Sequence, residues 1–221
     1  MKNHPIVERK MRLIVFGAPG GAGQQILQRR LERGRLMTAF VGRPEEIVFV
    51  HERLTIAEGD VLDQYVVESA TTSQDAVLCA LGVTGKSPLD VCSRGTRNIV
   101  SGMHGNGVKR LVFLTGAIIG HPPTKVAGRI SPHMEAPLPG PLHRLMADRR
   151  LQEDIVEESG LDWLLIRPPR LTNGRRTGAY RIGTDAKLGS FAGISRADVA
   201  DFMVQQVESG ALYQVGVTIS Y

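Results

Sequence analysis

The chain is poor in the residues that staple or anchor small proteins. Two cysteines occur in 221 residues, Cys79 and Cys92, and they form no Cys-x-x-Cys pair. A disulfide framework and a cysteine zinc site are therefore excluded, and a reducing, cytoplasmic setting is the simplest expectation. Aromatic residues make up 5% of the chain, with one tryptophan. No aromatic residues interleave with its basic ones, and no helix-turn-helix or zinc-finger spacing is present, so nucleic acid is not an expected partner. No apolar run approaches the roughly 20 residues of a membrane span, so no membrane partner is expected either. Residues 1–10 are polar and basic without an apolar stretch, which reads as a flexible N-terminal arm rather than a secretory signal.

Also missing are several catalytic signatures. There is no serine-hydrolase elbow, no His-Glu-x-x-His and no EF-hand loop, so no metal is expected. Of the four tyrosines, Tyr65, Tyr180, Tyr213 and Tyr221, none begins a Tyr-x-x-x-Lys pair. That pair protonates a carbonyl oxygen as hydride arrives in many dehydrogenases. Carbonyl reduction by that route is not expected.

What is abundant is glycine, with 25 residues, set between short apolar runs, in a chain of mean hydropathy −0.07. Apolar runs over 11–16, 37–41, 54–58, 75–81, 110–115, 163–166 and 214–219 read as strands. Helix-period segments over 20–33, 89–104, 142–159 and 196–208 lie between them. Repeated β–α units with continuous apolar strands predict one doubly wound α/β domain over 11–221, its parallel sheet covered on both faces. Between the fifth strand and the next helix, residues 116–141 carry Pro122, Pro123, Pro132, Pro137, Pro139 and Pro141. A stretch this long without regular structure inside a compact domain points to a substrate loop.

The first strand runs straight into Gly17-Ala18-Pro19-Gly20-Gly21-Ala22-Gly23 and then a helix. Glycines in that order permit a tight turn and let backbone approach a diphosphate at a helix N-terminus. The second strand ends Val41-Gly42-Arg43-Pro44. An acidic residue there selects NAD through the ribose 2′-hydroxyl, whereas a guanidinium suits the 2′-phosphate of NADP. NADPH is thus the expected cofactor and NAD the lesser alternative. Asp60 and Val61 follow the third strand, where they could meet the adenine side or, for Asp60, cap the next helix. Leu81 and Gly82 end the fourth strand, beside the expected phosphates and inner ribose. Ala80 to Ser87 ends in Gly-Lys-Ser at Walker-A spacing, but with alanine for the first glycine and no later strand ending in the aspartate that would hold magnesium. A nucleoside triphosphatase is therefore the weakest reading.

Net charge is +5 and pI about 9.5, with arginines clustered at 167, 170, 175, 176 and 181, which suggests an anion site.

The strand–glycine loop–helix start, Gly59-Asp60-Val61 and the segment Ser-Gly-Leu-Asp-Trp-Leu-Leu-Ile-Arg-Pro around residue 165 resemble the atypical short-chain dehydrogenase/reductases. Arg97-Asn98-Ile99-Val100, Pro123-Thr124-Lys125-Val126 and Thr177-Gly178-Ala179-Tyr180 are similar to segments of the biliverdin-IXβ reductase (flavin reductase) branch, which has NmrA-like relatives. The resemblance implies an NAD(P)-binding Rossmann fold. It places Thr115 near the nicotinamide and Pro168 among the cofactor-binding residues, Thr115 and Lys125 as catalytic candidates, and Gly116, Lys125 and Arg170 at the acceptor. This chain departs from the branch at Pro19, where a threonine is usual, at Gly116, where a serine stands, and at Arg170, where a histidine stands. Leu145 and Arg149 occupy the positions of the tyrosine–lysine pair. The expected function is NADPH-dependent hydride transfer to a planar acceptor, a flavin or a quinone. The alternative is a non-catalytic, NmrA-like redox regulator that binds cofactor without turnover.

Overall fold

The computed structural model describes residues 11–85, 87–116, 140–184 and 192–221. Ten strands and five helices lie among them: β1 (Leu13–Phe16), α1 (Gly21–Glu32), β2 (Met37–Val41), β3 (Leu54–Glu58), α2 (Gln64–Thr71), β4 (Ala76–Cys79), α3 (Val91–Gly105), β5 (Arg110–Leu114), α4 (Gly140–Glu157), β6 (Asp162–Arg167), β7 (Leu171–Thr172), β8 (Arg181–Gly183), β9 (Ile194–Ser195), α5 (Arg196–Ser209) and β10 (Val215–Ser220). Eight strands form one sheet in the order β3-β2-β1-β4-β5-β6-β10-β8, parallel except for the β10–β8 pair. β7 and β9 pair separately.

The chain winds outward from β1 to β3, returns to β4 beside β1, and winds the other way. Because β–α–β crossovers are right-handed, that reversal puts α1 on one face and α3 and α4 on the other. Leu13 and Val15 of β1 accordingly pack with Ile26 and Leu27 of α1, while Ile14 and Phe16 pack with Ile99 and Met103 of α3. Alternate residues of one strand thus feed two cores, and β1 and β4 are buried along their whole length. β3, at the sheet edge, is half exposed, so the expectation of strands covered on both faces holds for the centre only.

α5 breaks the pattern. It lies on the α1 face although β10 extends the sheet away from β6, so this crossover has the opposite hand. The connection first passes through β7 and β8, and this long excursion removes the constraint that governs short crossovers. Charge holds α5 in place. Arg29 and Arg33 pair with buried Asp201, and Arg30, itself buried, pairs with Glu208.

Smaller differences from the sequence reading have local causes. α2 is an additional helix, capped by Asp63, whose carboxylate accepts from the Tyr65 and Val66 N–H groups at 3.0 and 3.2 Å. β10 starts one residue late because Gln214 has a left-handed φ of 49°. β7, β8 and β9 have two or three residues each, too short to show periodicity. The predicted arm (1–10) and nearly all of the predicted substrate loop lie outside the described residues.

Candidate functional site

The glycine loop joins the C-terminal end of β1 to α1 at the reversal point, where open α/β sheets leave a crevice for ligands. Gly17 adopts φ +79°, and a Cβ there would strike the Ala80 carbonyl at the end of β4. The two loops touch because β1 and β4 are in register through Phe16 and Cys79, and the Ala80 N–H donates to the Phe16 carbonyl at 2.9 Å. A Cβ at Gly23 would collide with the Gly17 carbonyl and Ala18. The Gly20 N–H closes the turn onto the Gly17 carbonyl at 3.1 Å. No side chain caps α1, whose N-cap is Gly20. Ala18 is buried, Gly20 and Gly21 are exposed, and the Pro19 carbonyl accepts from Gln24 Nε2 at 3.0 Å. An uncapped helix end behind a loop of glycines and small side chains suits a diphosphate. Gly17 to Gly23 fit that group.

The flanking strand ends complete one wall. Arg43 follows β2, is more than half exposed, and pairs with Glu46 in the turn Pro44–Glu46. Asp60 follows β3; its Oδ1 accepts from the Leu62 N–H at 2.9 Å, a local turn, and the helix cap is Asp63 instead. Val61 and Leu81 meet over α3 at Gly95, whose absent Cβ would lie 3.0 to 3.1 Å from both side chains. Gly82 is exposed just beyond. The structure thus gathers Gly17–Gly23, Val61, Leu81 and Gly82 at one end of the sheet. The Walker-like segment has no helix behind it, since α3 starts only at Val91. Ser87 Oγ is turned onto Thr84, accepting from its N–H at 2.9 Å and donating to its carbonyl at 3.0 Å.

The other wall is made of side chains. Thr115 follows β5, and its hydroxyl donates to Glu153 Oε1 at 2.6 Å. Glu153, fully buried on α4, also accepts from Arg167 Nε and Nη2 at 3.0 and 2.7 Å, and Arg167 reaches Glu157 at 3.0 Å. Burial alone would depress the Arg167 guanidinium, but hydrogen bonds and charge from Glu153, and the neighbouring Glu157, carry its pKa above the ordinary value. With its proton committed to Glu153, Thr115 offers lone pairs to a ligand. Arg149 donates from Nη1 to the Leu81 carbonyl at 2.8 Å and to Gln152 Oε1 at 2.9 Å, tying α4 to the end of β4. Gly116 is half-buried beside Thr115, and Pro168 is buried after β6. Arg170 is exposed and lies over Gly193. Lys125 lies outside the described residues.

The predicted arginine cluster disperses. Arg167 goes to Glu153, Arg176 to Asp201 at 3.6 Å, and Arg181 to the Tyr221 carbonyl at 2.5 Å. The four tyrosines lie apart from Leu145 and Arg149 in the chain. Tyr65 is exposed on α2, Tyr213 is exposed ahead of β10, and Tyr180 packs edge-on against Phe202. Burial, then the charges of Asp201 and Asp198, raise the Tyr180 pKa, the wrong direction for a proton donor near neutral pH. Tyr221 donates to Asp198 at 2.6 Å. Burial pushes the thiols up to about 12 at Cys79 and about 11 at Cys92, so both stay protonated. Among the described residues no group of His, Cys, Asp and Glu could hold a metal, and no helix is long and apolar enough to cross a membrane.

A family model described as NAD(P)H-binding matches residues 17–210, from the first glycine of the loop to the end of α5. The chain belongs to this NAD(P)H-binding family. Its fold is similar to that of a proposed epimerase from Bacteroides thetaiotaomicron, with 27% identity and a TM-score of 0.78 over 96% of this chain and 98% of that one. It is also similar to a proposed NADH-flavin reductase from Streptococcus pneumoniae, with 21% identity and a TM-score of 0.77 over 95% and 99%. A third is the anaerobillin reductase ChuY of Escherichia coli O157:H7, with 20% identity and a TM-score of 0.74 over 95% and 96%. The family match makes a nicotinamide cofactor a ligand of this chain.

Sequence reading missed Glu153, Arg167 as its partner, and the hub at Asp198. Asp198 gathers the Thr177 and Gly178 N–H groups, Ser195 and Tyr221. Burial works to raise its pKa, but hydrogen bonds from Tyr221, Gly178, Thr177 and Ser195 outweigh it and hold the carboxyl below the ordinary range. The Thr-Gly-Ala-Tyr segment is thereby anchored to α5. The one available signal was Ser195-x-x-Asp198, a helix-start pattern that also reads as a plain cap.

Proposed function

We propose that the protein is an NADPH-dependent reductase of planar, conjugated acceptors, a flavin or a quinone. The observation that carries the reading is the missing acid: Leu145 and Arg149 stand where a tyrosine–lysine pair would protonate a carbonyl oxygen, Tyr180 and Tyr221 are engaged by Phe202 and Asp198, and Tyr65 and Tyr213 are exposed on α2 and ahead of β10. When bound, the reduced nicotinamide supplies a hydride. A flavin or quinone takes it into a delocalised anion that water can protonate, so the protein needs to align the partners rather than donate a proton.

The residues divide the work. Gly17 to Gly23 hold the diphosphate, Val61 and Leu81 offer apolar contact to the adenosine half, and Arg43 exchanges Glu46 for the 2′-phosphate, which favours NADP over NAD. Asp60 borders the same end. Thr115, Gly116 and Pro168 border the nicotinamide, with the Thr115 oxygen oriented by Glu153. Lys125 and Arg170 neutralise the acceptor's phosphate or its developing anion. The flavin and bilin reductases among the similar structures support acceptors of this shape.

The test is NADPH oxidation, followed by absorbance, against FMN, a small quinone, and simple aldehydes and ketones. Turnover with FMN or the quinone and none with the carbonyls is expected. Robust ketone reduction with inert flavins would overturn the reading. Tight cofactor binding with no oxidation of any kind would identify a cofactor-sensing protein instead.

A further inference from the structure

Gly21 is a glycine without a backbone reason. It opens α1 without a left-handed φ, and no backbone atom stands close to its missing Cβ. The atoms that do lie close all belong to one side chain: Arg196 Cδ and Nε at 3.1 Å and Cζ at 3.8 Å. The space left by residue 21 is filled by an arginine from α5.

That arginine is placed against electrostatics. It is the first residue of α5, and its side chain lies beside the first residue of α1, so its charge faces the positive ends of two helix dipoles. Its neighbours on this face each have a carboxylate partner: Arg29, Arg33 and Arg176 share Asp201, and Arg30 pairs with Glu208. Arg196 has no carboxylate among the described residues; its Nη1 donates to the neutral Asn173 Oδ1 at 2.7 Å. A guanidinium carries five N–H donors, so most of them remain for a ligand. Two helix ends and a free guanidinium converging on one exposed loop make sense when an anion lies among them.

We propose that Arg196 is a ligand of the cofactor's diphosphate, reaching the glycine loop from α5 through the gap left at Gly21. The inference rests on the assignment of the loop as the nicotinamide-cofactor site. The two cations then read different groups, Arg196 the diphosphate common to both cofactors and Arg43 the 2′-phosphate present in one.

Dissociation constants of NADPH and NADH, measured by calorimetry on the full chain at several salt concentrations, test it. Arg196→Gln keeps an amide donor for Asn173 but loses the charge. Both cofactors should weaken about tenfold and by the same factor, with a shallower salt dependence. Arg196→Lys should recover part of the loss. Asn173→Asp, an exposed change that turns the Arg196 partner into a carboxylate and leaves the glycine loop untouched, should weaken both cofactors by the same factor and carries the test if Arg196→Gln does not fold. Unchanged affinities in the folded variants would overturn the proposal while leaving the cofactor site intact. A loss confined to NADPH would also overturn it, by moving Arg196 to the 2′-phosphate. A wild-type chain that binds neither cofactor would overturn the site assignment, and this proposal with it.

Discussion

At the ends of β1 and β4 the site is bounded by backbone, whereas at the ends of β5 and β6 it is bounded by side chains. The first wall works by omission: Gly17 and Gly23 lie so close to neighbouring carbonyls that any Cβ would collide. The second works by mutual constraint, with Thr115, Glu153, Arg167 and Glu157 linked by hydrogen bonds of 2.6 to 3.0 Å. Where backbone abuts backbone, at Gly17 and Gly23, the wall tolerates no side chain and needs no partner. A side-chain wall tolerates substitution and loses direction by degrees.

The largest effect that separates the walls is expected inside the glycine loop. Gly23→Val should remove about 3 kcal/mol or more of stability, because its Cβ meets backbone that cannot yield. Gly20→Val, at an exposed position with only the Gly17 carbonyl at 3.3 Å, should stay folded and lose cofactor affinity. Denaturant melts and cofactor titrations of the two variants distinguish folding from binding. Equal stability losses would mean that the loop is a packing device throughout.

On the second wall, Glu153→Ala leaves Arg167 without its main partner and should cost about 3 kcal/mol, close to the lower bound for breaking a buried pair because Arg167 keeps Glu157. Glu153→Gln, which still accepts from Thr115, should cost less and change kcat more than cofactor affinity. If both variants reduce FMN at the wild-type rate, Thr115 does not need to be oriented.

A smaller effect is expected at Arg43. Its guanidinium already pairs with Glu46 at an exposed site, so the 2′-phosphate replaces one partner by another. Arg43→Ala should weaken NADPH by about 1.5 kcal/mol, roughly tenfold, and leave NADH nearly unchanged. Parallel titrations decide it, and equal losses would assign Arg43 no part in the choice of cofactor.

The smallest effect concerns pH and touches neither wall directly. The Asp198 carboxyl is held below its ordinary pKa, so the stability it contributes is complete above the usual carboxylate range and is lost as pH falls through the depressed value. Melting temperature should therefore decline on acidification in the wild type and decline less in Asp198→Asn, which starts lower. Parallel pH profiles would remove Asp198 from the acid response.

The difference between the walls also explains what could be read in advance. The cradle from Gly17 to Gly23 was legible because a strand, a glycine pattern and a helix are contiguous in the chain. The Thr115–Glu153–Arg167 network was not, because its members come from three elements and each residue alone has an ordinary surface role. The arginine cluster at 167–181 misled for the same reason: Arg167, Arg176 and Arg181 leave in different directions, to Glu153, Asp201 and the Tyr221 carbonyl.

The amino-acid sequence by itself determined the doubly wound sheet, the glycine loop and the absence of a tyrosine acid, since periodicity, turn chemistry and residue identity are local properties. The tertiary structure alone decided that α5 lies against α1 through a crossover of unusual hand, and that Arg196 fills the gap at Gly21. It also decided that Glu153 directs Thr115. These depend on which residues distant in the chain are brought within a few ångströms, and no local pattern carries that information.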